Sequence, residues 1–105
     1  ESAVNIPNNK YIDCLPERIV VEVPAKINNQ GIHGISLENY PKGFGNLLNS
    51  QVGVIQLTTE AILNKSKHFA YLALLADPVV DNAIAAGKLL DNIIEKQSEF
   101  LGYLN

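Results

Sequence analysis

The side chains best equipped for chemistry cluster near the start of this sequence. Asp13 and Glu17 flank Leu15-Pro16, and two carboxylates so close together are the elements of a general acid and base. A solvated loop end accounts for the same pair more simply. Cys14 is the only cysteine and has no histidine near it in sequence to make a nucleophile and base, so it reads as a small, partly buried apolar side chain. His33, His68 and Cys14 would supply metal-ligand types, but they are scattered, and the fold would have to gather all three. The simpler expectation places His68 half-exposed on a helix and His33 at a turn or sheet edge. Asn8 and Asn9 each offer two donors and an acceptor, which suits sugar hydroxyls. The same groups make Asx turns, which is their commoner use. The sequon Asn64-Lys65-Ser66 carries little weight without a secretory signal.

What must hold these residues in place is short. Residues 1–17 are rich in Asn and Pro and read as an irregular loop with turns. Residues 18–23 are a β-branched run that Pro24 is expected to stop. Residues 28–31 (NNQG) signal a turn, and residues 32–37 alternate weakly as a second strand. Two strands alone are marginal in water, so neighbouring strands are expected from a parent sheet, with an open edge at residues 18–23. From Pro41 the period becomes helical, with Leu47, Leu48, Val52, Ile55, Ala61 and Ile62 broadly on one face and a bend expected at Gly53. Ser66 is the expected N-cap of a second helix, and Asp77-Pro78 of a third. The last helix carries Leu89, Leu90, Ile93, Ile94, Phe100 and Leu101 as an apolar stripe. The fold class is therefore α+β: a β-hairpin or two-strand segment over about 18–37, then three or four helices over about 41–103.

Composition excludes several classes. With 105 residues, a net charge of −3 and eight scattered Lys and Arg, no basic stripe points to nucleic acid. No apolar run approaches a membrane span, and the polar first ten residues are no signal peptide. A single cysteine forms no internal disulfide and fits a reducing, cytoplasmic setting. There is no Gly-x-Gly-x-x-Gly and no P-loop, so no dinucleotide or phosphate cradle is encoded. The charged fraction of 18% is low for so short a chain, which suggests apolar surface meant to be covered. The chain starts at Glu1 and contains no Met, and the expectation is a piece of a longer protein.

Ordered strings carry a family resemblance. Residues 6–17 (IPNNKYIDCLPE), 19–25 (IVVEVPA) and 31–33 (GIH) are similar to glycoside hydrolase family 4, where a loop "N-x-G-x-I-x-N-L-P" precedes "V-V-E-V-P-A" and a "G-I" turn. Residues 54–61 (VIQLTTEA) and 73–80 (ALLADPVV) resemble that family's "V-x-x-L-T-V-E-A-A" and "A-L-x-x-D-P-L-V" helices. The helix wording resembles the α-glucosidase, α-galactosidase and α-galacturonidase branch more than the 6-phospho-glycosidase branch. Lys10 stands where the family often has Gly, Cys14 where it often has Asn, and residues 64–67 replace a Gly-Asp turn.

The resemblance implies the C-terminal part of a larger α/β glycosidase. Such enzymes are NAD-dependent exceptions to the two-carboxylate scheme. NAD oxidises the sugar at C3, a divalent metal, usually manganese, polarises the oxygens, and a base removes the acidified C2 proton as the glycosidic oxygen leaves. Water then adds and the hydride returns. The nucleotide glycines and the metal ligands belong to earlier parts of the family sequence. None maps here, so the chain is expected to hold no catalytic, cofactor or metal residue and to be inactive alone. Residues 1–105 are expected to be one domain, part of a substrate and oligomerisation domain. Asn8, Asn9 and His33 are assigned to the rim of the substrate site. The implied partners are the rest of the enzyme, its sugar substrate and further copies of the chain, without nucleic acid or membrane. The competing expectation is a stand-alone helical interaction module without catalysis.

Overall fold

The computed structural model describes residues 2–104. In chain order it has strands β1 (Ser2–Pro7), β2 (Val20–Asn28) and β3 (Gly31–Gly34), then helices α1 (Lys42–Leu63), α2 (Lys67–Ala76), α3 (Ala83–Lys96) and α4 (Ser98–Leu101). The α+β class is as expected. The residues expected to form one domain divide into two compact units, Glu1–Asn49 and Ser50–Asn105.

In the first unit the strands form an antiparallel sheet in the order β1-β2-β3. β1 corrects the expectation of an irregular start. It pairs along β2 from Ser2 opposite Ala25 to Pro7 opposite Val20. Only Val4 and Ile6 alternate toward the interior of this short strand, so its periodicity is too brief to show without the partner. β2 is the central strand, but β3 pairs only with Ala25–Asn28, so residues 20–23 are paired by β1 alone.

Pro24 does not end its strand either. A proline is tolerated in a sheet only where its missing N–H has no ladder partner to lose. The Pro24 carbonyl accepts the Ile35 N–H at 2.8 Å, just past the end of β3. The amide and carbonyl of one residue face the same side of a strand, so the absent donor falls where β3 has ended. Beyond it Ala25 pairs with Gly34 and Asn28 with Gly31, closing the hairpin. The Gln30 N–H donates to Asn28 Oδ1 at 2.8 Å, an Asx turn, and Gly31 takes φ +124°, a backbone that favours glycine.

One face of β2 is buried through Val21, Val23 and Ala25, the alternation a half-covered sheet requires. Ile12 and Leu15, from the loop between β1 and β2, are buried to the same degree. That loop is therefore part of the core and not an excursion from it.

The helices follow from Lys42 onward. α1 runs without interruption through Gly53, where a bend was expected. Val52 and Ala61 are buried on it, whereas Leu47, Ile55 and Ile62 stay more than half exposed. Ser66 caps α2 as expected, its Oγ accepting the Phe69 N–H at 3.3 Å. Asp77-Pro78 does not start α3. Asp77 closes α2 by donating its N–H to the Leu74 carbonyl, and its Oδ1 accepts the Val79 N–H at 3.1 Å in a turn. Asn82 caps α3 instead, accepting the Ala85 N–H at 2.9 Å. The apolar stripe expected as one last helix is broken at Gln97 into α3 and the single turn α4. On α2 and α3 the small residues Ala73 and Ala86 are buried together with Leu90, and the Tyr71 hydroxyl donates to the Ala83 carbonyl at 3.1 Å.

Candidate functional site

Residues 8–18 connect β1 to β2 and carry most of the side chains singled out in the sequence. Asn8 is the one buried polar side chain among the described residues, at 2% exposure. Its Nδ2 donates toward three carbonyl oxygens, those of Ile12, Leu15 and Pro16, each at 3.1 Å. Its Oδ1 accepts the Ile12 N–H, also at 3.1 Å. The main chain joins in, with the Asn8 N–H donating to the Ile19 carbonyl at 2.6 Å and the Arg18 N–H to the Asn8 carbonyl at 3.0 Å. Of the three residues assigned to the sugar rim, Asn8 therefore has its amide occupied inside the loop.

The loop turns sharply after it. Lys10 has φ +61° and Arg18 φ +71°, left-handed positions that cost a non-glycine residue on the order of 1–2 kcal/mol. That explains the glycine of the resembling motif at the position of Lys10: the backbone there asks for it. Tyr11 then fastens the loop to the end of β3. Its carbonyl accepts the Leu37 N–H at 2.8 Å, and its ring lies against Gly34, where a Cβ would fall 2.8 Å from the ring carbons Cε1 and Cζ.

Asn9 and His33, the other two rim residues, are exposed, Asn9 on this loop and His33 on β3 opposite Lys26. The Tyr11–Gly34 contact ties together the two segments that carry them. Cys14 is an exposed free thiol at the surface of the loop, beside Gly45 on the first turns of α1. Asp13 and Glu17 are exposed loop residues, as their simpler reading expected.

In the helical unit an open cleft between α2 and α3 is lined by Lys67, His68, Tyr71, Gly87, Leu90 and Asp91. Lys67 and Asp91 pair with each other at 2.6 Å. His68 is exposed and stacks obliquely on Phe69, ring centres 6.2 Å apart. Among the described residues no group of three or more His, Cys, Asp or Glu is placed to hold a metal ion. Nor does any glycine-rich turn lead from a strand into a helix as a dinucleotide would require. The residues present thus fit neither NAD nor manganese. No helix among them is long and apolar enough to cross a membrane.

Comparison with known proteins places this arrangement. Residues 1–80 match the family 4 glycosyl hydrolase C-terminal domain. An alpha-glucosidase of Erwinia rhapontici is 45% identical over 104 residues, 99% of this chain and 23% of that enzyme. A 6-phospho-beta-glucosidase of Thermotoga maritima is 31% identical, covering 93% of this chain and 24% of that protein. The crystal structure of a 6-phospho-alpha-glucosidase from gut microorganisms, in complex with NAD and glucose-6-phosphate, superposes with a TM-score of 0.84 at 27% identity, over 99% of this chain and 23% of the other. The chain thus spans about a quarter of the length of the relatives it matches. With the family match, the ordered strings and the fold all in agreement, the chain belongs to the family 4 glycosyl hydrolases and corresponds to their C-terminal domain.

Proposed function

We propose that this chain is the C-terminal part of a glycosidase that cleaves α-glucosides by NAD- and manganese-dependent oxidation and elimination. The observation that carries the reading is the alignment with the Erwinia rhapontici alpha-glucosidase, 45% identical across 99% of this chain. The 6-phospho-beta-glucosidase and the maltose-6'-phosphate glucosidase of Bacillus subtilis are 31% and 30% identical. That gap favours an unphosphorylated α-glucoside as substrate. The likeness to a structure solved with NAD supports the cofactor. On this reading the chemistry belongs to the rest of the enzyme, and this part braces it.

The substrate-site rim is proposed at Asn9 and His33, with Asn8 buried within the loop that carries Asn9. The enzyme works in the cytoplasm, where NAD is at hand and the exposed Cys14 stays reduced. Phe44, Ile55, Leu63 and Ile84 are each more than 60% exposed, and burial against the rest of the enzyme or a further copy of it would cover them; the enzyme is proposed to be an oligomer.

The test is the intact mass of the natural gene product, followed by its activity. A product roughly four times as long as this chain, cleaving p-nitrophenyl α-glucoside only with NAD and Mn2+, supports the reading. Activity confined to the 6-phosphorylated glucoside would refute the substrate assignment. A product of only 105 residues would refute the enzyme reading and favour a stand-alone interaction module.

A further inference from the structure

The rim assignment leaves Asn8 with an unexplained combination of properties: a polar side chain in the loop proposed to border the substrate, yet 2% exposed. An amide nitrogen has two protons, and here three carbonyl oxygens share them. The amide oxygen is engaged by the Ile12 N–H. A sugar hydroxyl has neither a path to this group nor a donor left to meet. What the amide does instead is draw Ile12, Leu15 and Pro16 around one point, fixing the course of the chain on both sides of the left-handed Lys10. From there Tyr11 transmits the constraint to β3, through its carbonyl on the Leu37 N–H and its ring on Gly34, the neighbour of His33.

We infer that Asn8 is a positioning residue: it never touches the sugar, and it holds Asn9 and His33, exposed on two different segments, in one fixed arrangement. This rests on the proposed rim at Asn9 and His33. A residue acting this way affects how well the sugar is held and leaves the bond-breaking groups, which lie outside this chain, undisturbed.

The experiment uses the full-length glycosidase that carries this chain, assayed on p-nitrophenyl α-glucoside with NAD and Mn2+. Asn8→Asp keeps the shape, removes both amide protons and turns an oxygen toward the three carbonyls. Displacements on the order of an ångström are enough for large kinetic effects, so KM is expected to rise about tenfold with kcat changed less than about twofold. Asn9→Ala and His33→Ala are each expected to raise KM. Because Asn8 works in part through Asn9, the double variant Asn8→Asp/Asn9→Ala is expected to raise KM by less than the product of the two single effects. A purely structural role gives a different pattern: less folded enzyme, hence a lower apparent kcat, at unchanged KM.

If Asn9→Ala and His33→Ala both leave KM unchanged, the rim reading falls and this inference with it. If they raise KM while folded Asn8→Asp does not, or if the double variant multiplies the two effects, the positioning role alone is overturned. Should Asn8→Asp not fold, Tyr11→Leu carries the same test. It keeps the four Asn8 side-chain hydrogen bonds and cuts the ring contact to Gly34, and an unchanged KM there overturns the inference equally.

Discussion

Replacing Gly34 by alanine tests the junction between loop and sheet more directly than any other single change. A Cβ at this position would fall 2.6 Å from Ile6 Cδ1 and 2.8 Å from two carbons of the Tyr11 ring. The Ile6 methyl is the end of a flexible side chain and turns away at a cost of about 1 kcal/mol. The ring is rigid, and it cannot simply slide. The Tyr11 carbonyl is held by the Leu37 N–H at 2.8 Å, and the preceding turn is pinned by Asn8. Overpacking of this kind costs about 1–3 kcal/mol. Against it stands the gain of about 0.5–1 kcal/mol from removing a glycine's freedom in the unfolded chain, open to alanine because Gly34 does not use a left-handed backbone. The clash wins, and Gly34→Ala is expected to lose about 1–2 kcal/mol. Urea unfolding followed by far-ultraviolet circular dichroism reads this as a lower midpoint at unchanged slope. In a Tyr11→Ala background the deficit should shrink by at least half, since only the flexible Ile6 methyl remains in the way. A Gly34→Ala protein as stable as the original, or a deficit undiminished without the ring, would refute the packing argument.

Asn8→Ala leaves the buried Ile12 N–H and Leu15 carbonyl without their side-chain partner and is expected to cost about 2–4 kcal/mol, visible as loss of amide-exchange protection at Ile12. Ser66→Ala and Asn82→Ala each remove an N-cap and should lower helix stability by about 1 kcal/mol, with the two effects distinguishable by exchange in α2 and α3. Gly31→Ala forces a side chain onto φ +124° in open space, so its cost of about 1–3 kcal/mol is backbone strain alone; a variant as stable as the original would contradict the turn geometry. Asp91→Asn breaks the pair with Lys67, whose side chains are 45% and 61% exposed, and should shift the unfolding midpoint by less than about 1 kcal/mol, a difference that vanishes in molar salt.

The elements that could be read from sequence are those whose signal is local. β2 announces itself by consecutive β-branched residues, the 28–31 turn by its asparagines and glycine, and α2 by a serine three residues before Phe69. β1 could not be read, because two half-buried residues among Asn and Pro make a strand only when β2 lies alongside. Asp77 and Asn82 show the limit of cap signals. Both are good N-caps by type, and residues 77–82 offer two starts for one helix. The choice falls to Asn82, whose Oδ1 accepts the Ala85 N–H and whose following residues, Ala83 to Ala86, propagate a helix well, while the Asp77 Oδ1 is engaged by the Val79 N–H in a turn.

The loop motif shows why a site is harder to read than a fold. An asparagine that binds a sugar and one that binds three carbonyls use the same amide, and only burial tells them apart. Once burial is known, the spacing within residues 8–16 becomes intelligible as folding instructions. Asn8 gathers the turn, position 10 takes the left-handed backbone that the family often gives to glycine, Ile12 and Leu15 enter the core, and Pro16 offers a carbonyl without needing a donor of its own. Lys10 then follows as a residue that tolerates a conformation it does not favour, with Asn8 supplying the hydrogen bonds that hold it there. A motif that is specific enough to identify a family can therefore be specific because its backbone is demanding, while exposed positions within it, such as Asn9, are left free.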